Sequence, residues 1–220
     1  MAIELKKVTL ENRGDSHRIV LSKESQTSTS EIIINLNWTQ EVAKKGFFAN
    51  LLNSSQGIDL DLGCFYELRS GEKMVIDGIQ FAHNQGGPRE RATKQGCLTR
   101  APWIWHSGDD RSGAGDGENI LVNPKGIKEL KRIIVYCFIY DGVAKWMETN
   151  AVVTVKVPEN PDIVVEMGKQ NSTLKFCAIA EILLDATDSI TVKKLLTFHT
   201  GHAECDKAYG WGLQWHAGSK

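Results

Sequence analysis

An all-β domain of two antiparallel sheets packed face to face, with a few short helices, is the fold class this chain predicts, and three observations predict it. Short apolar runs are separated by turn residues at intervals of roughly 8–12 residues, the spacing of sandwiches rather than of alternating α/β chains. Some of those runs alternate with period two, most plainly Ile32, Ile34, Leu36 and Trp38 within Glu31 to Trp38. One run, Lys131 to Tyr140 (KRIIVYCFIY), is apolar on both faces and belongs in the middle of a sheet. A chain of 220 residues suffices for one sizeable core, and no repeat or linker divides it, so a single domain over 1–220 is expected.

The elements follow in order. Ile3 to Leu10 and His17 to Ser22 flank the turn-like Asn12-Arg13-Gly14-Asp15 and read as an opening hairpin. A polar tract, Ser25 to Ser30, precedes the strand ending at Trp38. Glu41 to Leu52 offers a helical turn or a long loop, because Gly46 interrupts any helix and no capping residue opens one. GIDLDLGCFYEL comes next. As a strand over Asp59 to Leu68 it sets Asp59 and Asp61 on one side and Leu60 and Leu62 on the other. That is either a pair of carboxylates presented on a rigid element or the exposed acidic face of an edge strand. Lys73 to Phe81 is its expected partner, and His83 to Gly96 is a polar loop turning at Gly86-Gly87-Pro88. Ile120 to Val122 leads to a short helix at Pro124 to Leu130, with proline in its first turn. After Asp141-Gly142, strands are expected at Ala151 to Val157, Ile163 to Met167, Leu174 to Leu184 and Ile190 to Phe198. The ending GHAECDKAYGWGLQWHAGSK is aromatic and glycine-rich and reads as an irregular lid.

With 26 basic against 27 acidic residues the net charge is −1, which gives no electrostatic reason to expect nucleic acid or an anionic membrane as partner. The opening MAIELKKVTLENRGD lacks an apolar h-region, and no run approaches the roughly 20 apolar residues of a membrane span, so a cytoplasmic protein without direct membrane insertion is expected. Five scattered cysteines without a CxxC pair suggest neither a disulfide framework nor a cysteine-rich zinc site.

The chemistry concentrates in WIWHSGDDRSGAGDGE, Trp103 to Glu118. Asp109, Asp110, Asp116 and Glu118 fall within one short loop whose glycines let the backbone fold their side chains inward. Two unit charges about 4 Å apart repel by roughly 4 kcal/mol at an effective dielectric near 20, so converging carboxylates need protons, an arginine or a metal ion. Arg111 is the nearby cation in the sequence. Oxygen ligands without histidine–cysteine spacing favour calcium or magnesium, and irregular glycine-bent coordination favours calcium. The stretch is not an EF-hand, since Arg111 and Gly113 stand where acids or amides are required, and it has no nonapeptide repeat.

Four fragments in order, GIDLDLGCF at 57–65, HNQGG at 83–87, HSGDDRSGAGDGE at 106–118 and KRIIVYCFIYDG at 131–142, resemble the TerD-type tellurium-resistance family. The resemblance covers most of the chain from about Leu36, and the ending YGWGLQWHAGSK resembles the TerA branch of that family more than TerD itself. It implies a calcium-binding, intracellular β-sandwich that is not an enzyme, associated with resistance to tellurite and other chemical stress and acting with other proteins of the same resistance system. It also implies the ligands: Asp59 and Asp61 from the strand, Asp109 and Asp110 from the loop's first half, Asp116 and Glu118 from its second, with Asn84 a weaker candidate. Asp110 stands where the family has asparagine, and D-G-E-N-I replaces a longer acidic run, so one calcium ion is expected rather than two.

Other readings stand beside this one. His106 either orients a ligand carboxylate or packs at a strand end. His199, His202, Glu204 and Cys205 form an H-x-x-H-x-E-C cluster in which zinc is chemically conceivable, but no second ligand pair lies at finger spacing. A metal-dependent hydrolase, with the acidic loop holding a catalytic ion, is the alternative function. It requires an open coordination position beside an apolar pocket.

Overall fold

The run Lys131 to Tyr140 that the sequence marks as doubly buried falls within the strand Leu130–Asp141, in the middle of a sheet, in the computed structural model, which describes residues 6–22, 30–38, 58–108, 117–167 and 170–216. In chain order the elements are β1 (Val8–Thr9), β2 (Ser16–Val20), β3 (Ile32–Asn37), β4 (Asp59–Leu68), β5 (Lys73–Asp77), α1 (Gly78–Phe81), β6 (Gly96–Cys97) and β7 (Ile104–His106). They continue with β8 (Glu118–Val122), β9 (Leu130–Asp141), β10 (Val152–Lys156), β11 (Ile163–Glu166), β12 (Phe176–Asp185), β13 (Ser189–His199) and α2 (His202–Tyr209). Two sheets result, one ordered β1-β11-β10-β3-β8-β7-β6 and the other β2-β13-β12-β9-β4-β5. Neighbouring strands are antiparallel except β1 with β11.

Alternation decides what lies between the sheets. Ile32, Ile34 and Leu36 of β3, Ile120 and Val122 of β8, and Val153 and Val155 of β10 face Leu60, Leu62, Cys64, Ile133, Val135 and Cys137 of β4 and β9 in one buried cluster. A second cluster covers the outer face of the β9 sheet. There Phe65, Ile134, Tyr136, Phe138 and Phe176 pack under Cys205 and Trp211. The C-terminal lid is thus a helix followed by an extended strap. Trp211 donates its indole N–H to the Tyr66 carbonyl at 3.2 Å, the Arg132 guanidinium sits 4.2 Å from its ring, and the Asp206 carboxylate accepts from Gly212 and Leu213 N–H at 2.9 Å each.

Several expectations need correcting. β1 and β2 do not form a hairpin, because they join different sheets, β1 beside β11 and β2 beside β13. The Asn12 to Asp15 turn is a corner: the Asp15 carboxylate accepts from Glu11 and Asn12 N–H, Gly14 takes φ +93°, and Gly14 N–H donates to the Lys194 carbonyl of β13. Lys194, 4% exposed, closes the corner by donating its ammonium to the carbonyls of Leu10, Glu11 and Glu166 at 2.9–3.0 Å. The partner strand of β4 stops at Asp77, whose carboxylate caps the turn of helix that follows by accepting Gln80 N–H at 3.1 Å. The helix at Pro124 is a single 3-10 turn, Pro124–Gly126, and Leu130 already belongs to β9. Glu41 to Leu52 lies outside the described residues. No helix among the described residues is long and apolar enough to cross a membrane.

Candidate metal centre

Strand β4 lies between β9 and β5, but its pairing with β5 begins at Gly63, so the Asp59–Leu62 end is paired with β9 alone, and it is burial that rules out an exposed acidic face there. Leu60 and Leu62 enter the core, and Asp61 is itself 1% exposed. The register against β9 slips between Asp59 and Leu60, a β-bulge of the kind that re-aims side chains at a strand end. Asp59 is half-buried, and the Oδ1 of Asp59 and Oδ2 of Asp61 are both withdrawn from solvent. A carboxylate removed from water costs several kcal/mol in effective terms unless hydrogen bonds, a proton or a cation stabilise it.

The acidic stretch meets β4 at Leu62. From its N-terminal side, the His106 ring donates Nε2–H to the Leu62 carbonyl at 3.0 Å. From its C-terminal side, Glu118 Oε2 accepts the Leu62 N–H at 2.7 Å and stands 3.7 Å from His106 Nε2. His106 is fully buried and Glu118 is 1% exposed, and they project from neighbouring strands of the opposite sheet, β7 and β8. The junction is a cross-sheet tie on one residue, next in sequence to Asp61. Its charge is felt nearby. Burial, followed by the negative charges of Glu118 and Asp61, pushes the Cys137 thiol well above its ordinary range.

Supporting residues hold this corner. Gln95 donates its side-chain amide to the His106 carbonyl at 2.7 Å and accepts Gly87 N–H at 3.0 Å, so the 83–96 loop buttresses β7. Gly117, at φ +72°, lets the backbone pass against the Leu36 carbonyl of β3 at the start of β8. Trp38, 1% exposed just beyond β3, has a buried indole Nε1 with no hydrogen-bond partner among the described residues.

Of the residues named from the sequence, Asp59, Asp61 and Glu118 are therefore carried to the β4 end of the sandwich. Asp109, Asp110, Asp116 and Arg111 lie outside the described residues. Asn84 is exposed, at φ +65° in the turn after α1, and lines a shallow depression with Gln85, Arg91 and Lys94. Among the described residues no group of three or more His, Cys, Asp and Glu side chains is gathered to hold a metal ion. The C-terminal H-x-x-H-x-E-C residues turn to separate partners: His199 to Thr197 at 2.9 Å, His202 to Asp77 at 2.8 Å, and Glu204 to the Thr200 N–H. Cys205 is buried, its thiol pushed up to about 12 by that burial and by Asp206 and Glu204.

A second buried polar cluster escaped sequence reasoning. Asp77, 1% exposed, accepts the Tyr136 hydroxyl at 2.6 Å, His202 Nε2 at 2.8 Å and Gln80 N–H at 3.1 Å. Burial pushes its carboxyl up, but the hydrogen bond and charge of His202, then Tyr136 and Gln80, outweigh it and leave the pKa below the usual value. The D-G-I-Q order at 77–80 matches a helix N-cap pattern and was the available signal.

Comparison with known proteins adds the lineage. No family model matches the chain. It is 35% identical over 219 residues, 99% of its length, to the tellurium resistance protein TerA of Alcaligenes sp., and 33% identical over 105 residues to TerZ of Serratia marcescens. The chain belongs to the TerD-type tellurium-resistance family. This family member spans about 60% of the length of that TerA, and its match to TerZ covers 48% of this chain and 46% of TerZ. Its fold is similar to that of SAV2460, a crystal structure of a protein of unknown function, with a TM-score of 0.52 and 14% identity over 84% of this chain and 98% of that one.

Proposed function

We propose that this TerD-type protein is a calcium-binding, non-enzymatic β-sandwich of a tellurite and chemical-stress resistance system, and that calcium makes it competent to dock other proteins of that system. The observation that carries the reading is the junction at Leu62. Side-chain bonds from His106 and Glu118 to the Leu62 backbone bring both described ends of the acidic stretch to the β4 end that holds Asp59 and Asp61, one oxygen of each being withdrawn from water. Such a donor set suits a hard cation, with Asp59 and Asp61 from β4 and Asp109, Asp110 and Asp116 from the loop as the side chains to hold it. Glu118 Oε2 is engaged by the Leu62 N–H, so that oxygen shapes the site's wall.

Isothermal titration with calcium and with magnesium tests the reading. One calcium per chain, preferred over magnesium, is expected, with affinity weakened about tenfold or more in Asp59→Asn and in Asp109→Asn while the calcium-free fold is retained. Heatless titration of the parent, or variants that bind as the parent does, would overturn the assignment.

A further inference from the structure

Strand β13 reaches its C-terminal end through a slip in register. Leu195 and Leu196 stand there against Ile179 alone of β12, and Leu196 takes φ +51°, the left-handed region that a residue with a Cβ rarely enters. Backbone strain of this kind persists where the surrounding structure enforces it, and it clusters at ligand sites. Leu196 lines a cleft of about 600 Å³ between the end of β13 and α2, whose walls include Arg13 of the corner, Thr197, His199, Glu204 and Tyr209.

Three of these side chains form one hydrogen-bonded chain. The Thr197 hydroxyl lies 2.6 Å from the Tyr209 hydroxyl and 2.9 Å from His199 Nε2. Thr197 and His199, two apart on β13, share one face, and Tyr209 meets it from α2. His199 is 7% exposed, and burial pulls its pKa below the ordinary value with Glu204 opposing, so the ring is neutral at pH 7. A neutral imidazole has one proton for two nitrogens, and each hydroxyl has one proton, so the chain has two polarities. With the ring proton on Nδ1, Tyr209 donates to Thr197 and Thr197 donates to Nε2, which leaves the phenol oxygen as an acceptor. With the proton on Nε2 both bonds reverse, and the phenol O–H is left to donate to whatever the cleft holds.

The charges around the cleft decide between the two. Arg13 makes no ion pair among the described residues. Burial pushes the Tyr209 phenol up, and the positive charge of Arg13 is close enough to pull against it. Glu204, the carboxylate on the cleft wall, is engaged by the Thr200 N–H. With solvent alone in the cleft, Arg13 favours the phenol lone pairs turned toward it, hence the ring proton on Nδ1. An anion seated against Arg13 reverses that field and draws the phenol proton outward, hence the ring proton on Nε2.

We propose that this cleft binds a small molecule by one oxyanionic group, a phosphate or a carboxylate, seated between the Arg13 guanidinium and the Tyr209 hydroxyl, and that its arrival moves the His199 ring proton from Nδ1 to Nε2. The guanidinium suits such a group because its planar fork presents two parallel donors. The apolar part of the ligand lies along Leu196 and Phe198, which line the same cleft. The ring stays neutral throughout, and only the position of its proton changes. Neither calcium nor the acidic loop takes part.

Nitrogen NMR of the full chain without calcium reads both halves. Titration with phenyl phosphate, with inorganic phosphate as a second arm and sodium chloride at matched ionic strength as control, should shift the His199 ring nitrogens saturably, Nε2 toward its protonated position. Inorganic phosphate should bind about tenfold more weakly than phenyl phosphate, since it leaves the apolar wall uncovered. Arg13 is exposed, so Arg13→Met retains the fold, and it is expected to weaken phenyl phosphate about tenfold or more by loss of a charge-assisted pair. Tyr209→Phe should weaken it roughly threefold and leave the His199 ring proton where it was. No saturable shift with either phosphate, or a shift that chloride reproduces, would overturn the site. Parental affinity in Arg13→Met would overturn the seat at Arg13, and equal affinity for the two phosphates would overturn the apolar contact. Saturable binding with the His199 proton unmoved in the parent would overturn the proton transfer.

Discussion

Asp77 shows how a buried aspartate is kept ionised. Asp77 is surrounded by donors that keep its charge: a tyrosine hydroxyl, an imidazole and a helix N–H. Its depressed pKa makes it a source of stability with a defined pH dependence. A carboxyl whose folded pKa lies below its unfolded one contributes stability that is complete above the unfolded value and is lost as pH falls through the folded value. Asp77→Asn should therefore lower the unfolding free energy by about 2–3 kcal/mol at pH 7, with the gap to the parent narrowing below about pH 4 in urea titrations. A constant gap down to pH 2 would refute the assignment of the effect to ionised Asp77. The cap was legible in the order D-G-I-Q, but its side-chain partners were not, since Tyr136 and His202 lie 59 and 125 residues away in the chain. The cysteines divide in a similar way: burial raises the thiols of Cys137 and Cys177, whereas Cys97 is pulled down against its burial by hydrogen bonds from Thr99 and Arg100.

At the scale of elements, period-two alternation placed β3 and the doubly apolar run placed β9, because side-chain burial is written locally in a strand. β4 was bounded correctly at Asp59–Leu68 and its partner β5 was expected beside it, yet its other neighbour, β9, was not readable, and neither was the burial of Asp61. The hairpin was misjudged because a turn signal fixes a bend and says nothing about which sheet receives the next strand. The β3–β8 pair gives a test of the corner by the acidic loop. Gly117 combines φ +72° with a Cβ position that collides with the Leu36 carbonyl, whereas Gly108 has a positive φ and no atom of the described residues within 4 Å of that position. Gly117→Ala should cost about 2 kcal/mol or more and Gly108→Ala only about 1 kcal/mol, measured by chemical denaturation without calcium. Equal costs would show that the close approach of β3 and the loop end is not what demands glycine at 117.

For the whole molecule, the proposed ion is a ligand of the folded state alone. At a free calcium concentration about 100 times the dissociation constant, linkage adds about 2.7 kcal/mol to stability, so the melting midpoint should rise by several degrees with calcium and return with chelator. A midpoint indifferent to both would remove calcium as a structural partner. The fold class was legible at this scale because strand count, turn spacing and the lack of long helical periods need no tertiary information. The assembly of Leu62, His106 and Glu118 was not, because it depends on how two sheets face each other.

The corner at residues 10–15 carries a consequence for how the chain becomes a sandwich. β1 and β2 stand early in the sequence, but their pairing partners, β11 and β13, begin at Ile163 and Ser189. During synthesis the early strands must wait for the late ones before either outer margin can close, and distant pairings of that kind slow folding. A nascent chain halted before Ile163 would expose both seams at once, which makes the ordering of translation, and any helper that shields those seams, part of how this sandwich reaches its native form.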